Sequence, residues 1–210
     1  MKRKLIGVLL VATALSVSGA ASASASTSAA PATGGSSATI ADVLLSDAAT
    51  DGPNGFDQRW FDYDIATQAV LLFPDLVAAA SDPTASLTVF LPNDLAFRLL
   101  VRDLTGTWPA TEQATFDAVA SLGLDTVKAV LTYHIVPAAL GPLTLLRSNG
   151  VQEPTLNGST LTVRTRGFLI RLQDNDPDAG DPYVVQPNVG GRLANGFVHG
   201  ISAVLRPVDL

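Results

Sequence analysis

The sequence contains no cysteine and only two histidines, His134 and His199. The absence of cysteine excludes disulfide bonds, thiolate metal sites and lipidation at a cysteine, so a hydrophobic core alone must hold the fold. The chain also lacks a Gly-x-Ser-x-Gly nucleophile elbow, a glycine-rich phosphate loop and a His-Glu-x-x-His zinc pair. The common hydrolase, nucleotide-binding and zinc-protease classes therefore have no signature in this sequence.

Lysine is scarce, and acidic residues outnumber basic ones, with 19 Asp and Glu against 13 Lys and Arg. Three of the basic residues are Lys2, Arg3 and Lys4, and Lys128 is the one lysine that follows them. Without those three residues the net charge falls from −6 to −9. Nucleic acids and anionic membranes favour basic surfaces, so neither is expected as a partner. The preference for arginine over lysine, with abundant alanine, suggests a bacterial source.

The N-terminus has the pattern of a secretory signal peptide. A basic start is followed by an apolar run over 5–17 and by small residues suited to cleavage over 21–25. The run is shorter than the roughly 20 apolar residues that a membrane span needs. We therefore predict a signal peptide over 1–25, a flexible linker over 26–37 and one folded domain over 38–210. No later apolar run of that length follows, so no membrane insertion is expected after signal removal.

The first half of the chain has helical patterns. Apolar residues recur at helical spacing, and favourable capping residues precede several of these segments. The predicted helices are 62–72, 74–80 beginning at Pro74, 94–104 capped by Asn93, one capped by Thr111, and 126–132 capped by Asp125.

The second half changes to the alternation of apolar and polar residues that is typical of strands. The predicted strands are 87–91, 161–166, one in which Phe168, Ile170 and Leu172 share a face, 183–186, and one in which Phe197, His199, Ile201, Ala203 and Leu205 share a face. Asn157-Gly158 and Asn195-Gly196 are strong hairpin signals. Helices followed by antiparallel strands predict an α+β fold rather than alternating β-α units.

Three segments carry most of the remaining information: Thr-Val-Phe-Leu-Pro-Asn-Asp-Leu-Ala-Phe over 88–97, Leu-Thr-Tyr-His-Ile-Val over 131–136, and Asn-Gly-Phe-Val-His-Gly-Ile over 195–201. In this order they resemble the conserved blocks of the fasciclin-type, or FAS1, domain, and the resemblance covers 39–210. The matching motif residues are Thr88, Phe90, Pro92, Asp94, Phe97, Tyr133, His134, Asn195, Gly196 and His199. Leu91 departs from the pattern by replacing a smaller residue, and Ser202 stands where relatives often have an acid.

The resemblance implies a fold and a class of function. The implied fold is a single α+β domain, a wedge-shaped β-sandwich with N-terminal helices packed on it. Members of the family are largely secreted or surface-held adhesion and interaction modules, so neither catalysis nor a cofactor is expected. In animal members the residues around the Tyr-His block take part in adhesion.

Both histidines are predicted to lie in the core. His134 follows Val127, Val130 and Leu131 at helical offsets, which places it on the buried face if the helix extends that far. A buried imidazole needs a partner for each ring nitrogen, and we expect Asp94 or backbone groups to supply one. His199 shares the apolar face of the last predicted strand, where a packing role is favoured over a ligand role.

One acidic loop is a weak candidate for a metal site. Asp174, Asp176 and Asp178 have the spacing of the first half of a calcium loop, but Ala179 replaces the glycine and Val185 the bidentate glutamate. The interpretation favoured here is a solvated hairpin loop without metal. Asn157-Gly158-Ser159 is formally a glycosylation sequon, and a turn is the favoured interpretation.

Aromatic residues offer a local candidate for partner contact. Phe56, Trp60, Phe61 and Tyr63 alternate with acids over 56–64, and half of these rings must enter the core. Any that stay outside would form an apolar interaction patch with Trp108 and Phe168.

The function predicted from the sequence is a secreted or cell-surface, non-catalytic adhesion or interaction module, including one held at the cell wall. Its partner would be an extracellular or cell-surface protein, a polysaccharide or a second copy of itself. The first alternative is an extracellular carrier of a small apolar ligand, which needs a sizeable apolar pocket. A distant alternative is a hydrolase, which needs a reachable nucleophile beside His134 or His199.

Overall fold

The computed structural model describes residues 36–48 and 54–208. The predicted signal peptide and the linker up to residue 35 lie outside these residues. The described helices are α1 (Ile40–Ala48), α2 (Asp64–Leu71), α3 (Pro74–Ser81), α4 (Asp94–Thr105), α5 (Glu112–Ala120), α6 (Leu124–Tyr133) and α7 (Pro142–Arg147). The described strands are β1 (Leu87–Pro92), β2 (Ile135–Val136), β3 (Gln152–Pro154), β4 (Thr160–Arg166), β5 (Leu169–Gln173), β6 (Val184–Leu193) and β7 (Gly196–Ile201).

Most helix starts follow the local capping chemistry. Pro74 is the first residue of α3, where its missing N–H costs nothing. Asn93 caps α4 by accepting the N–H of Ala96 at 2.9 Å. Thr111 caps α5 by accepting the N–H of Ala114 at 3.1 Å. These three predictions are confirmed.

The predicted cap of α6 is wrong. The helix begins at Leu124 and its N-cap is Gly123, so Asp125 lies inside the first turn and is exposed. An acid is favourable both at the N-cap and within the first turn, where it faces the positive end of the helix dipole. Asp125 takes the second of these positions.

Strand β1 is at the centre of the first sheet. This four-stranded sheet has the order β2-β1-β7-β6. Strand β1 pairs antiparallel with β2 and parallel with β7, so the sheet is mixed rather than wholly antiparallel as the sequence suggested. The long connection through α4 to β6 returns the chain to the sheet beside β1 and in the same direction, which parallel pairing requires.

The second sheet is antiparallel and has three strands in the order β3-β4-β5. Asn157-Gly158 forms the predicted turn between β3 and β4. The β6–β7 hairpin is also present, but its turn residues are Ala194 and Asn195, and Gly196 is already the first residue of β7.

Phe168 does not share the buried face of Ile170 and Leu172, because it lies in the β4–β5 turn and is 93% exposed. That expectation was wrong because alternation across Gly167 does not continue through a two-residue turn.

Two hydrophobic clusters flank the first sheet. One packs α1–α6 against Leu87, Leu91 and Val198 of β1 and β7. The other packs Phe90 and Ile201, from the opposite face of the same strands, against the second sheet. The predicted α+β sandwich with helices packed on it is thus confirmed.

Among residues 36–48 and 54–208, no single helix is long and apolar enough to cross a membrane. Helices α2 and α3 are long and apolar enough only when they are taken together, and the chain bends by 110° at the break between them.

Candidate functional site

The three sequence blocks lie side by side in the first sheet. Phe90 of β1 is in register with His199 of β7, and Val89 is in register with Ile135, directly after His134. The rings of Phe90 and His199 stack at a centroid distance of 5.9 Å. The fold therefore brings the predicted motif residues together around β1.

His134 is held by backbone groups on both sides. Its Nδ1 lies 2.7 Å from the carbonyl oxygen of Val130, and its Nε2 lies 2.9 Å from the N–H of Leu205. Since the Leu205 amide can only donate, Nε2 accepts and Nδ1 donates, which defines a neutral imidazole. Burial lowers the pKa of His134 to about 4. The backbone alternative predicted from the sequence is confirmed, and Asp94 makes its hydrogen bond elsewhere.

His199 connects the last strand to the segment after β2. Its Nε2 donates to the carbonyl oxygen of Leu140 at 2.8 Å, while its Nδ1 accepts the N–H of Asn188 at 3.2 Å. Thr88 holds the same segment, since its hydroxyl accepts the N–H of Leu140 at 2.8 Å and donates to Ala138 at 2.5 Å. Burial lowers the pKa of His199 below its ordinary value. Both motif residues thus fix one loop on β1 and β7.

Asn195 joins three elements at the start of β7. Its Oδ1 accepts the N–H of Ile40 at 2.9 Å, and its Nδ2 donates to the carbonyl oxygen of Ala80 at 2.8 Å. Its own carbonyl accepts the N–H of Leu87 at 2.9 Å. The side chain is almost fully buried, so it satisfies the otherwise unpaired ends of α1 and α3.

Gly196 follows directly and is the one motif position where only glycine fits. Its φ is +140°, and a Cβ added there would lie 1.7 Å from the carbonyl oxygen of Leu87. The close approach of β7 to β1 depends on the missing side chain.

Asp94, the first residue of α4, is fully buried. Its Oδ1 accepts the N–H of Ile65 at 2.9 Å, which ties α4 to the start of α2. Burial raises the pKa of Asp94 to about 9, and the neighbouring carboxyl groups of Asp62 and Asp64 add to the shift. Asp94 is therefore protonated at neutral pH.

The remaining motif residues complete the packing. Tyr133 is fully buried and its hydroxyl donates to the carbonyl oxygen of Thr160 at 3.0 Å, which links α6 to the second sheet. Burial raises the pKa of this hydroxyl above its usual range. Phe97 lies in the helical cluster, and Pro92 ends β1 opposite Ile201.

The hydrogen bonds of the motif residues hold strands, helices and loops of the fold together. Both ring nitrogens of each histidine are within hydrogen-bond distance of backbone groups, and both imidazoles are buried. Each imidazole thus links backbone segments of the fold.

The acidic loop over 174–181 is held by internal contacts. Asp174 accepts the N–H groups of Asp176 and Arg206, and Asp176 accepts the N–H of Asp178 at 3.0 Å. The guanidinium of Arg206 lies 3.1 Å from Asp176 and 2.6 Å from Asp103. The Arg206 guanidinium thus supplies positive charge beside the Asp176 carboxylate.

A different set of carboxylates lies close enough together to hold a cation. Among the described residues, Asp57, Asp62, Asp64 and Glu112 bring one oxygen each within 4.8 Å of one another. Asp64 accepts the N–H of Asp57 at 3.0 Å, and Glu112 accepts the N–H of Gln58 at 2.7 Å. Four such oxygen donors could hold Mg²⁺ or Ca²⁺. The sequence signal is an alternation of acids over 57–64, but Glu112 joins it only through the packing of α5 against α2.

The aromatic residues over 56–63 divide between core and surface. Tyr63 is buried and Phe56 packs on Phe116, whereas Phe61 is 75% exposed. The Arg98 guanidinium lies over the rings of both Trp60 and Trp108, at 4.2 and 5.2 Å. Phe168 lies in the turn between β4 and β5.

A cavity of about 390 Å³ opens beside Phe61, between α1 and the edge strand β6. Its apolar lining is Val43, Leu44, Phe61, Leu91 and Val189, and its polar lining includes Ser46, Asp62, Tyr63 and Gln186. The Tyr63 hydroxyl donates to Gln186 at 2.8 Å across the cavity wall. The volume is within the range of small-ligand sites.

Comparisons with known proteins agree with the geometry. A family model, the Fasciclin domain, matches residues 65–207. The fold is similar to a FAS1 domain pair from the insect cell adhesion molecule fasciclin I, with a TM-score of 0.56 and 18% sequence identity. The match covers 81% of this chain and 51% of that chain, so this chain spans about half of the insect structure. A search of curated protein sequences gives no match.

Proposed function

The chain belongs to the fasciclin domain family, and on that premise we propose that it is an exported, non-catalytic adhesion or interaction module. It acts by surface contact with an extracellular protein, a polysaccharide or a second copy of itself. The family consists of adhesion and interaction modules, which gives the class of function. The non-catalytic role and the partner are the parts that we add.

The observation that carries this proposal is that the polar side chains of the motif are hydrogen-bonded inside the fold. Their partners are backbone groups, and this holds for His134, His199, Asn195 and Thr88. Residues that hold the fold in this way leave recognition to exposed side chains. Phe61 and Trp108 are exposed and supply the aromatic surface that protein and sugar contacts favour.

Export is supported by the sequence pattern at the N-terminus. The basic start, the apolar run over 5–17 and the small residues over 21–25 form a signal peptide that we expect to be cleaved near Ala25. The mature protein is then released or retained at the cell wall. Measuring the mass of the protein recovered from medium and from wall fractions of its own cells tests this step.

A binding experiment tests the function itself. The protein recovered from its own cells is immobilised and exposed to surface proteins and surface polysaccharides of those cells, with the heat-unfolded protein as control. The proposal expects saturable binding to one of these fractions or to the protein itself. Absence of binding to every fraction, together with turnover of an ester or glycoside substrate, would contradict it.

A second candidate is a carrier of a small apolar ligand. The observation that favours it is the 390 Å³ cavity, whose apolar lining comes from α1, the segment before α2, β1 and β6. Native mass spectrometry of the protein from its own cells separates the two functions. A stoichiometric organic adduct supports the carrier, and its absence supports the interaction module.

A further inference from the structure

The hairpin between β4 and β5 presents an apolar tip to solvent. Phe168 is 93% exposed in the turn, and Leu169 beside it is 60% exposed. No other large apolar side chain in the described residues is as exposed as Phe168. Neither residue packs in the cluster between the sheets, which takes Ile170 and Leu172 from the other face of β5. The fold therefore does not explain a phenylalanine at this turn.

The tip lies in a basic part of an acidic protein. Between residues 142 and 172 the sequence has four arginines and a single acid, Glu153. Arg164 and Arg166 are exposed on β4 just before the turn, whereas Arg171 on β5 is paired with Asp181. The hairpin thus carries an apolar end with positive charge on its β4 side.

The cavity beside Phe61 has the complementary character. Five of its lining side chains are apolar, and Asp62 contributes a carboxyl group to its wall. One oxygen of Asp62 lies within 4.8 Å of carboxyl oxygens of Asp57, Asp64 and Glu112, so acidic groups are concentrated beside the cavity. An apolar cavity with acidic groups at one side matches an apolar tip with positive charge on its β4 side.

We propose that the Phe168 tip of one copy enters this cavity on a second copy, with Arg166 facing Asp62. This proposal rests on the proposed interaction function and specifies a homophilic partner and its contact. The tip and the cavity belong to different sheets and use different residues, so the contact is heterologous. Each bound copy still has one free tip or one free cavity, and further copies can add head to tail.

Two variants of the full chain test the two sides of the contact, since one removes the tip and the other fills the cavity. Phe168→Ser removes the apolar tip at an exposed turn, where the fold loses no buried contact. Ser46→Trp fills the cavity from its rim, because Ser46 is exposed at that end of α1 and lines the cavity. Leu124→Ser is the matched control, since Leu124 is 58% exposed on α6 and lies outside both surfaces. Circular dichroism and thermal unfolding check that each variant is folded.

The measurement is sedimentation velocity over a concentration series. The wild-type protein and Leu124→Ser are expected to shift to larger species as concentration rises, and the shift should weaken with added salt. Phe168→Ser and Ser46→Trp alone should each remain monomeric or associate about tenfold or more weakly. An equimolar mixture of the two should form a capped dimer, because one variant keeps the cavity and the other keeps the tip.

Three outcomes would overturn the proposal. The first is a wild-type protein that stays monomeric across the series, and the second is a Phe168→Ser variant that associates like wild type. The third is a mixture of variants that forms no dimer although wild type associates. If the monomeric protein still binds surface fractions of its cells, only this inference fails, whereas failure of both assays removes the proposed function as well. Binding of wild type, but not Phe168→Ser, to phosphatidylglycerol vesicles without self-association would assign the tip to a membrane instead.

Discussion

His134 and Leu205, which are 71 residues apart, are joined by a hydrogen bond of 2.9 Å from the Leu205 amide to the imidazole Nε2. The other ring nitrogen donates to Val130, so a single neutral imidazole ties α6 to the segment after β7. Leu205 lies in the cluster between the two sheets, together with Tyr133. This histidine thus has a structural role that a change of pH can test.

The first prediction concerns the acid side of the stability curve. The pKa of His134 is about 4 in the folded protein against an ordinary value of 6.5, and the pKa of His199 is also lowered. The unfolded chain therefore takes up protons that the folded protein does not bind, so the histidine contribution to stability is complete above pH 6.5 and falls as the pH drops toward 4. The buried Asp94 acts in the opposite direction over this range, so urea unfolding of Asp94→Asn between pH 7 and 5 should show the histidine decline without that opposing contribution.

NMR of the wild-type imidazoles gives an independent check that needs no variant. The His134 ring signals should stay those of the neutral form down to about pH 5. Titration of His134 near pH 6.5 in the folded protein would show that the ring is solvated and that its structural role is misassigned.

The second prediction concerns the alkaline side. Burial raises the pKa of Asp94 from 3.8 to about 9, so the folded protein keeps a proton that the unfolded chain releases. This contribution to stability is complete below pH 3.8 and is lost as the pH rises through 9. Above pH 6.5 the histidine contribution is constant, so the stability of wild type should fall between pH 7 and 9.

Asp94→Asn isolates that effect, since asparagine retains an oxygen acceptor for the Ile65 amide and cannot ionise. The variant should show a flatter stability profile from pH 7 to 9. Asp75→Asn serves as the control, because Asp75 forms an exposed pair with Lys128 at 2.8 Å. Parallel profiles for wild type and Asp94→Asn would show that Asp94 is already ionised at neutral pH.

The third prediction concerns Gly196. A Cβ at this position would meet the Leu87 carbonyl at 1.7 Å, so Gly196→Ala must displace β1 or β7 and should cost about 3 kcal/mol of unfolding free energy. Gly158→Ala is the matched control: its φ is also positive, at +88°, but a Cβ there meets nothing within 4 Å. It should cost only about 1 kcal/mol of backbone strain. Equal losses in urea unfolding would mean that backbone conformation alone explains Gly196.

The fourth prediction concerns Arg206. Its guanidinium bonds Asp176, whose side chain is fully buried, and Asp103, whose side chain is 60% exposed. Arg206→Met leaves the buried carboxylate without its cation and should lower the unfolding free energy by about 3 kcal/mol. Asp103→Asn should change it by less than about 1 kcal/mol, because the exposed pair is screened by solvent. If added Ca²⁺ restores Arg206→Met to wild-type stability and also stabilises wild type, the loop is a metal site after all.

Local chemistry made much of the fold predictable. Helix starts depend on residues close in sequence, since Asn93 and Thr111 each cap a helix by accepting the N–H three residues further on. Pro74 begins a helix as its first residue, and the two residues Asn157-Gly158 form a turn. The three sequence blocks also resembled a known family, and they form β1, the end of α6 and β7. Where two placements satisfy the same chemistry, as for Asp125 at a cap or in a first turn, the sequence alone could not decide.

The features that the sequence missed depend on contacts between distant segments. Glu112 meets the Asp57–Asp64 segment only because α5 packs on α2, and the Gln58 amide that it accepts is 54 residues away. The parallel pairing of β1 with β7 likewise depends on a long crossover. Periodicity describes one segment at a time, so it contains no information on such pairings.

The central claim is that the motif histidines serve the fold and that recognition belongs to exposed side chains. The most direct test measures urea unfolding of His134→Gln together with its binding to the surface fraction that wild type recognises. The account predicts a clear loss of unfolding free energy, with binding per folded molecule unchanged. A His134→Gln protein that keeps wild-type stability and loses binding would contradict it, because His134 would then belong to the recognition surface.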